Sequence, residues 1–315
     1  MNKVVQGATL MAIAALGLTG CANGANQSSS DKPKVVTSTD VYADIVKQIA
    51  GDSVEVTSLI SSTSQDPHSY EATAADRLKV KDADIVLLNG GGYDHFLEDL
   101  AGQDNKDQKV INAVETSGLF SADELKELTE GHTDDEHHEH NHGALNEHVW
   151  YSFDAMKKVS QALTDDLSET ASDHADEYKK ADEEFDRKLD RLNANAKEIN
   201  GQGKNYISTE PVPGYLLQEA GLTDKTPSDL TSAVEDGSDI APLTLQNVKD
   251  SLKNGSVKLL AYNEQTASNQ TKEILDAAQA DNVANVSFTE TLPEGKDYVD
   301  WMNDNVANVK TAVAQ

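Results

Sequence analysis

From Phe153 to Ile199 the chain contains no proline and no glycine, and Ala, Leu, Lys and Glu recur throughout. Residues of these types favour helix, and nothing in the stretch breaks one. Apolar Met156, Val159, Leu163 and Leu167 follow one another at spacings of three or four, the period of a single helix face. The pattern predicts two helices, the second running from about Ser172 to Ile199. At about 1.5 Å per residue that helix would extend on the order of 40 Å, enough to run the height of a two-domain protein. It is either half of a helical hairpin inside one domain or a rigid spine between two lobes. The flanking sequence favours the spine.

On both sides of it, short β-rich runs alternate with amphipathic helical runs, the grammar of parallel sheets with helices on both faces. Before it, strands are predicted at Val35–Thr39, Val54–Ile60, Ala83–Leu88 and Lys109–Val114, with helices at Val41–Ala50 and Ala72–Val80. After it, strands are predicted at Asn205–Thr209, Val257–Tyr262 and Val283–Thr289. Helices are predicted there at Tyr215–Ala220, Leu245–Leu252, Thr271–Ala280 and Tyr298–Ala314. The expected fold class is α/β, with two lobes, each a parallel sheet flanked by helices, joined by a long rigid spine helix. The N-terminal lobe is set at residues 34–171, the linking helix at 172–200 and the C-terminal lobe at 201–315.

Residues 1–20 form a targeting segment that stays outside the fold. Lys3 is followed by an apolar run, Ala8 to Leu18, too short to span a bilayer. The run ends in Leu18-Thr19-Gly20-Cys21, and Cys21 is the chain's single cysteine. Small residues before such a cysteine are the bacterial pattern for cleavage and lipidation at Cys21, which supplies membrane attachment without a transmembrane helix. Residues 22–33, ANGANQSSSDKP, then serve as a flexible tether. The chain is thus expected on the extracellular face of the cell membrane, lipid-anchored. The 26 basic and 55 acidic residues give a net charge of −29. Phosphate backbones are bound through basic contacts, so this balance excludes nucleic acid as a partner.

From Ser117 to His142 the alternation fails, and in a histidine-rich loop at about 131–143 His132, His137, His138, His140 and His142 lie among acidic residues. Such low-complexity tracts take up metal loosely and in many geometries. Four short motifs carry sharper chemistry, each at or just beyond the end of a predicted strand or, for the second, directly after the histidine tract. They are Asp66-Pro67-His68-Ser69-Tyr70-Glu71, Asn146-Glu147-His148-Val149-Trp150, Ser208-Thr209-Glu210-Pro211 and Phe288-Thr289-Glu290-Thr291. Ligands of open α/β sheets bind at the carboxyl ends of strands. Two histidines from one lobe and two carboxylates from the other would give donors suited to zinc, manganese or iron(II).

The lipidation motif, the Asp-Pro-His and Glu-His-Val-Trp motifs, the long spine and the two-lobe order resemble the zinc/manganese family of solute-binding lipoproteins of ABC importers. The likeness runs from about Lys34 to Gln315. It implies a metal set of His68, His148, Glu210 and Glu290, with Glu290 standing where relatives commonly carry aspartate. It implies Zn2+ as the cargo, with Mn2+ the alternative, and the membrane permease of an importer as the partner of a monomer. Two carboxylates lean toward manganese, whereas the histidine tract leans toward zinc, because relatives carrying one are usually zinc receptors. Glu71, Glu147 and Asp239 are further carboxylates expected to be solvated or to support the ligands. Capture by neutral imidazole and ionised carboxylate should fail below about pH 6.

The chain carries no HExxH pair, no Gly-x-Ser-x-Gly elbow and no phosphate-binding glycine loop, since glycines 90 to 92 are consecutive. Four ligands on one ion would also leave no open position for a metallohydrolase, so no enzyme is expected. A surface adhesin on the same fold would be a partner function added to metal capture. A receptor for an organic solute would stack aromatics on its ligand, and only 5% of residues are aromatic.

Overall fold

The computed structural model describes residues 32–130 and 145–315. Cys21 and the five histidines of the tract lie outside the described residues. The first lobe runs β1 (Lys34–Thr39), α1 (Asp40–Ala50), β2 (Glu55–Ile60), α2 (Ala74–Lys81), β3 (Ile85–Leu88), α3 (His95–Glu98), β4 (Lys109–Asn112), α4 (Ala113–Ser117) and α5 (Ala122–Glu130). Two long helices follow, α6 (Phe153–Thr170) and α7 (Ala175–Lys197). The second lobe comprises β5 (Asn205–Ser208), α8 (Gly214–Glu219), β6 (Thr223–Asp224), α9 (Ser228–Glu235), α10 (Pro242–Lys253), β7 (Leu259–Asn263), α11 (Asn269–Ala280), β8 (Ala284–Phe288) and α12 (Tyr298–Val313).

Both sheets are four-stranded and parallel throughout, in the orders β2-β1-β3-β4 and β6-β5-β7-β8. The expected two-lobe α/β class is therefore the observed one. Successive strand residues face opposite ways, and here both faces are buried. Val35, Ile85 and Leu87 point into one core, while Val36, Val86 and Leu88 point into another beneath α2. The second sheet divides likewise, Leu259 and Ala261 to one side and Ile207 and Leu260 to the other. The inward faces of both sheets join a single core with α1, α6, α7 and α12. Each lobe keeps a smaller core of its own on the outward face.

The glycine- and proline-free stretch does form two helices, but the second begins at Ala175 after a 3-10 turn at Ser172–His174. Its 23 residues span about 35 Å. It ends before Asn200, whose φ of 57° is the left-handed conformation that stops a helix. Spine and hairpin coexist: α7 packs along α6 and also against α1, α8 and α12. The predicted strand to Val114 stops at Asn112, because the Asn112 side chain accepts from the Glu115 amide at 3.1 Å and caps a helix instead. Helices α3, α5 and α9 and the two-residue β6 were not expected.

Candidate metal centre

In each sheet the order turns between the first and third strands, so loops leaving those strands diverge and open a crevice at their carboxyl ends. The two crevices meet. His68 lies on the loop after β2, and the Asp66 carboxylate accepts from the His68 amide at 3.0 Å, fixing the turn that follows Pro67. The His68 ring stands edge-on to Tyr93, with centroids 4.9 Å apart at 82°. His148 enters just before α6 and is fully buried. Glu210 follows β5 and Glu290 follows β8, both buried.

All four expected residues converge. Donor atoms of His68, His148 and Glu210 lie within 4.8 Å of one another. His68 Nε2 is 3.9 Å from Glu210 Oε1 and 4.0 Å from Glu290 Oε2. Glu147 comes as close, its Oε1 3.8 Å from His68 Nε2, and it is 3% exposed. Glu71 and Asp239 are exposed.

His148 is held in one tautomer. Asn146 Nδ2 donates to Pro211 O at 2.9 Å, so Asn146 Oδ1 must be the acceptor for the His148 amide at 3.0 Å and for His148 Nδ1 at 2.8 Å. The ring proton therefore sits on Nδ1 and leaves a lone pair on Nε2, which has no hydrogen-bond partner. Burial, with His68 nearby, pushes the His148 pKa well below its ordinary value, so the imidazole is neutral.

On the opposite side, the Asn263 amide donates to both Glu210 Oε2 and Glu290 Oε1, the latter at 2.7 Å. Thr266 Oγ1 adds a bond of 2.6 Å to Glu210 Oε2. Each carboxylate is thus tied by one oxygen, and the other, Glu210 Oε1 or Glu290 Oε2, is buried without a partner. Burial pushes the Glu210 carboxyl up to about 7, against the pull of Thr266 and Asn263. Burial and then the charge of Glu210 push Glu290 well above its ordinary value, eased by Asn263. Buried polar atoms left unpaired are costly, and here they share one small volume and are chemically a metal donor set.

Several bonds cross between the lobes around this centre. Tyr151 Oη donates to Thr289 O at 2.8 Å, Tyr298 Oη to Trp150 O at 2.6 Å, and Tyr215 Oη to Asn146 O at 2.6 Å. Gln265 accepts from the Glu290 amide at 2.6 Å and donates to Gln65 O at 3.3 Å. On the solvent side a cavity of about 410 Å³ opens onto His68, lined also by Asp66, His95, Glu235, Asp236 and Thr266. The supporting roles of Asn146, Asn263 and Gln265 were not expected. The position of Asn263 at the end of β7, one strand from both glutamates, was the available signal.

A family model described as zinc-uptake complex component A, periplasmic, matches residues 35–312. The manganese ABC transporter substrate-binding lipoprotein PsaA of Streptococcus pneumoniae is 26% identical over 325 residues, covering 98% of each chain. The zinc-binding lipoprotein AdcA of Streptococcus pneumoniae serotype 4 is 24% identical, covering 97% of this chain and 60% of AdcA. The periplasmic zinc binding protein TroA from Treponema pallidum has the same fold, with a TM-score of 0.71 at 19% identity over 90% of this chain and 100% of TroA. FpvC from Pseudomonas aeruginosa, solved in complex with Mn2+, gives 0.70 at 22% identity over 90% and 98%. The chain belongs to the zinc-uptake component A family of solute-binding proteins of metal ABC importers, and is a binding protein rather than an enzyme.

Proposed function

We propose that this protein is an extracellular, lipid-anchored receptor that captures zinc, with manganese next, between its two lobes and delivers it to the permease of an ABC importer. The ligands are His68, His148, Glu210 and Glu290. The observation that carries the reading is the meeting, from opposite lobes, of His148 Nε2, Glu210 Oε1 and Glu290 Oε2, all buried and without hydrogen-bond partners. Zinc stands ahead of manganese because a fixed set of nitrogen and oxygen donors follows the Irving–Williams order. Membrane attachment is through Cys21, after removal of residues 1–20, with residues 21–33 as the tether. The histidines at 132, 137, 138, 140 and 142 add loose, low-affinity uptake. Native mass spectrometry of the protein after exposure to equal zinc and manganese tests the reading. One tightly held ion, lost in the His148→Ala and Glu290→Ala variants, is expected. Several loosely held ions, unchanged in both variants, would sink it.

A further inference from the structure

We propose that Glu147 is a fifth metal donor and that it narrows the preference for zinc over manganese; this rests on the cleft being the metal site. Bonds of about 2.0–2.2 Å to nitrogen and oxygen place two donors of one ion at most about 4.3 Å apart. From His68 Nε2 the carboxylate oxygens of Glu147, Glu210 and Glu290 lie at 3.8, 3.9 and 4.0 Å. Measured from His68 Nε2, Glu147 thus stands as near as the other two.

Its surroundings separate it from a supporting residue. A supporting carboxylate spends its oxygens on a ligand's N–H, yet the His148 Nδ1 proton goes to Asn146 at 2.8 Å, and Glu147 Oε2 stays 3.9 Å from that nitrogen. Glu147 Oε1 is buried with no partner, as are Glu210 Oε1 and Glu290 Oε2. The backbone is pinned to aim the side chain inward. Glu147 O accepts from Asn89 Nδ2 at 3.0 Å and from the Val149 amide at 2.7 Å. Gly91, at a φ of +68°, leaves the room: a β-carbon there would stand 3.1 Å from Glu147 Cβ.

Two imidazoles and three carboxylates exceed the four-coordinate tetrahedron that closed zinc sites adopt. Five or more donors, mostly oxygen, suit manganese. Glu147 therefore contributes more to manganese affinity than to zinc affinity. The test compares the full protein with Glu147→Ala and Glu147→Gln in competition titrations with each metal, and records the visible spectrum of each cobalt(II)-loaded form. Tetrahedral cobalt(II) absorbs far more strongly than five- or six-coordinate cobalt(II). We expect a weakly absorbing wild type, a strongly absorbing Glu147→Ala, and a loss of manganese affinity of about tenfold or more with a smaller loss for zinc. Glu147→Gln, which keeps the shape and loses the charge, should also favour zinc. Unchanged cobalt spectra, or equal losses for both metals, would overturn the inference while leaving the receptor intact. A wild type that binds neither metal would instead overturn the receptor reading.

Discussion

Asn146 links the two lobes through a single side chain. Its amide nitrogen holds Pro211 beside Glu210, and its oxygen fixes the His148 tautomer. Partners of this kind cost about 10–100-fold in metal affinity when removed. Asn146→Ala should weaken zinc binding by that factor in a calorimetric titration while the fold, followed by circular dichroism, persists; an unchanged affinity would refute the tautomer argument. At this scale the sequence revealed the donors better than their supports. His68, His148, Glu210 and Glu290 stand in short motifs around strand ends, where residue type and position signal chemistry. Asn263 and Gln265 work through contacts with residues of distant loops, and a neutral amide carries no such signal. Glu147 was visible only as one of several acids, since its direction depends on Asn89 and Gly91, which arrive from another strand end.

Helix α7 decides how the elements cohere. Tyr178, Phe185, Leu189 and Leu192 on it are buried, and the Phe185 ring lies 6.0 Å from that of Tyr298 on α12. Phe185→Ala should cost about 3–5 kcal/mol of stability, measured by urea unfolding, without changing the number of metal ions bound by the remaining folded protein. Periodicity predicted α6, α7, α10, α11 and α12 because their apolar stripes repeat over two or more turns. It missed α3, four residues long, where too few repeats exist to define a period. It also overran β4, because a cap such as Asn112 competes with strand propensity through one local hydrogen bond. The long helix was expected to join two separate lobes. It proves to be the middle of one core to which both sheets contribute.

For the whole molecule, the metal-free cleft stores carboxylates that burial keeps from ionising. Burial pushes Glu147 up to about 8 and Glu210 up to about 7, against an ordinary value of 4.5. In the metal-free state the folded chain then binds more protons than the unfolded chain between these values, so stability falls as pH rises. His148, held below its ordinary 6.5, acts in the opposite sense chiefly beneath that value, and His95, raised by its bond to Glu98, acts in the same sense as the carboxyls, which leaves pH 6.5 to 8 as the window in which the shifts agree in sign. Across that window the melting temperature of the metal-free protein should fall. The gain on adding zinc should grow, with protons released to buffer as it binds. A metal-free melting temperature flat from pH 6.5 to 8 would contradict this. The sequence alone suggested weakening only below about pH 6, from histidine protonation. Glutamate burial, which no sequence pattern displays, moves the onset higher.

Anomalous diffraction at the zinc edge, from crystals grown with zinc, shows whether one ion is held between the lobes by donors from both. One strong peak is expected at about 2.0–2.2 Å from His68 Nε2, His148 Nε2, Glu210 Oε1 and Glu290 Oε2. A cleft without a peak, or metal bound only along residues 131–144, would contradict it.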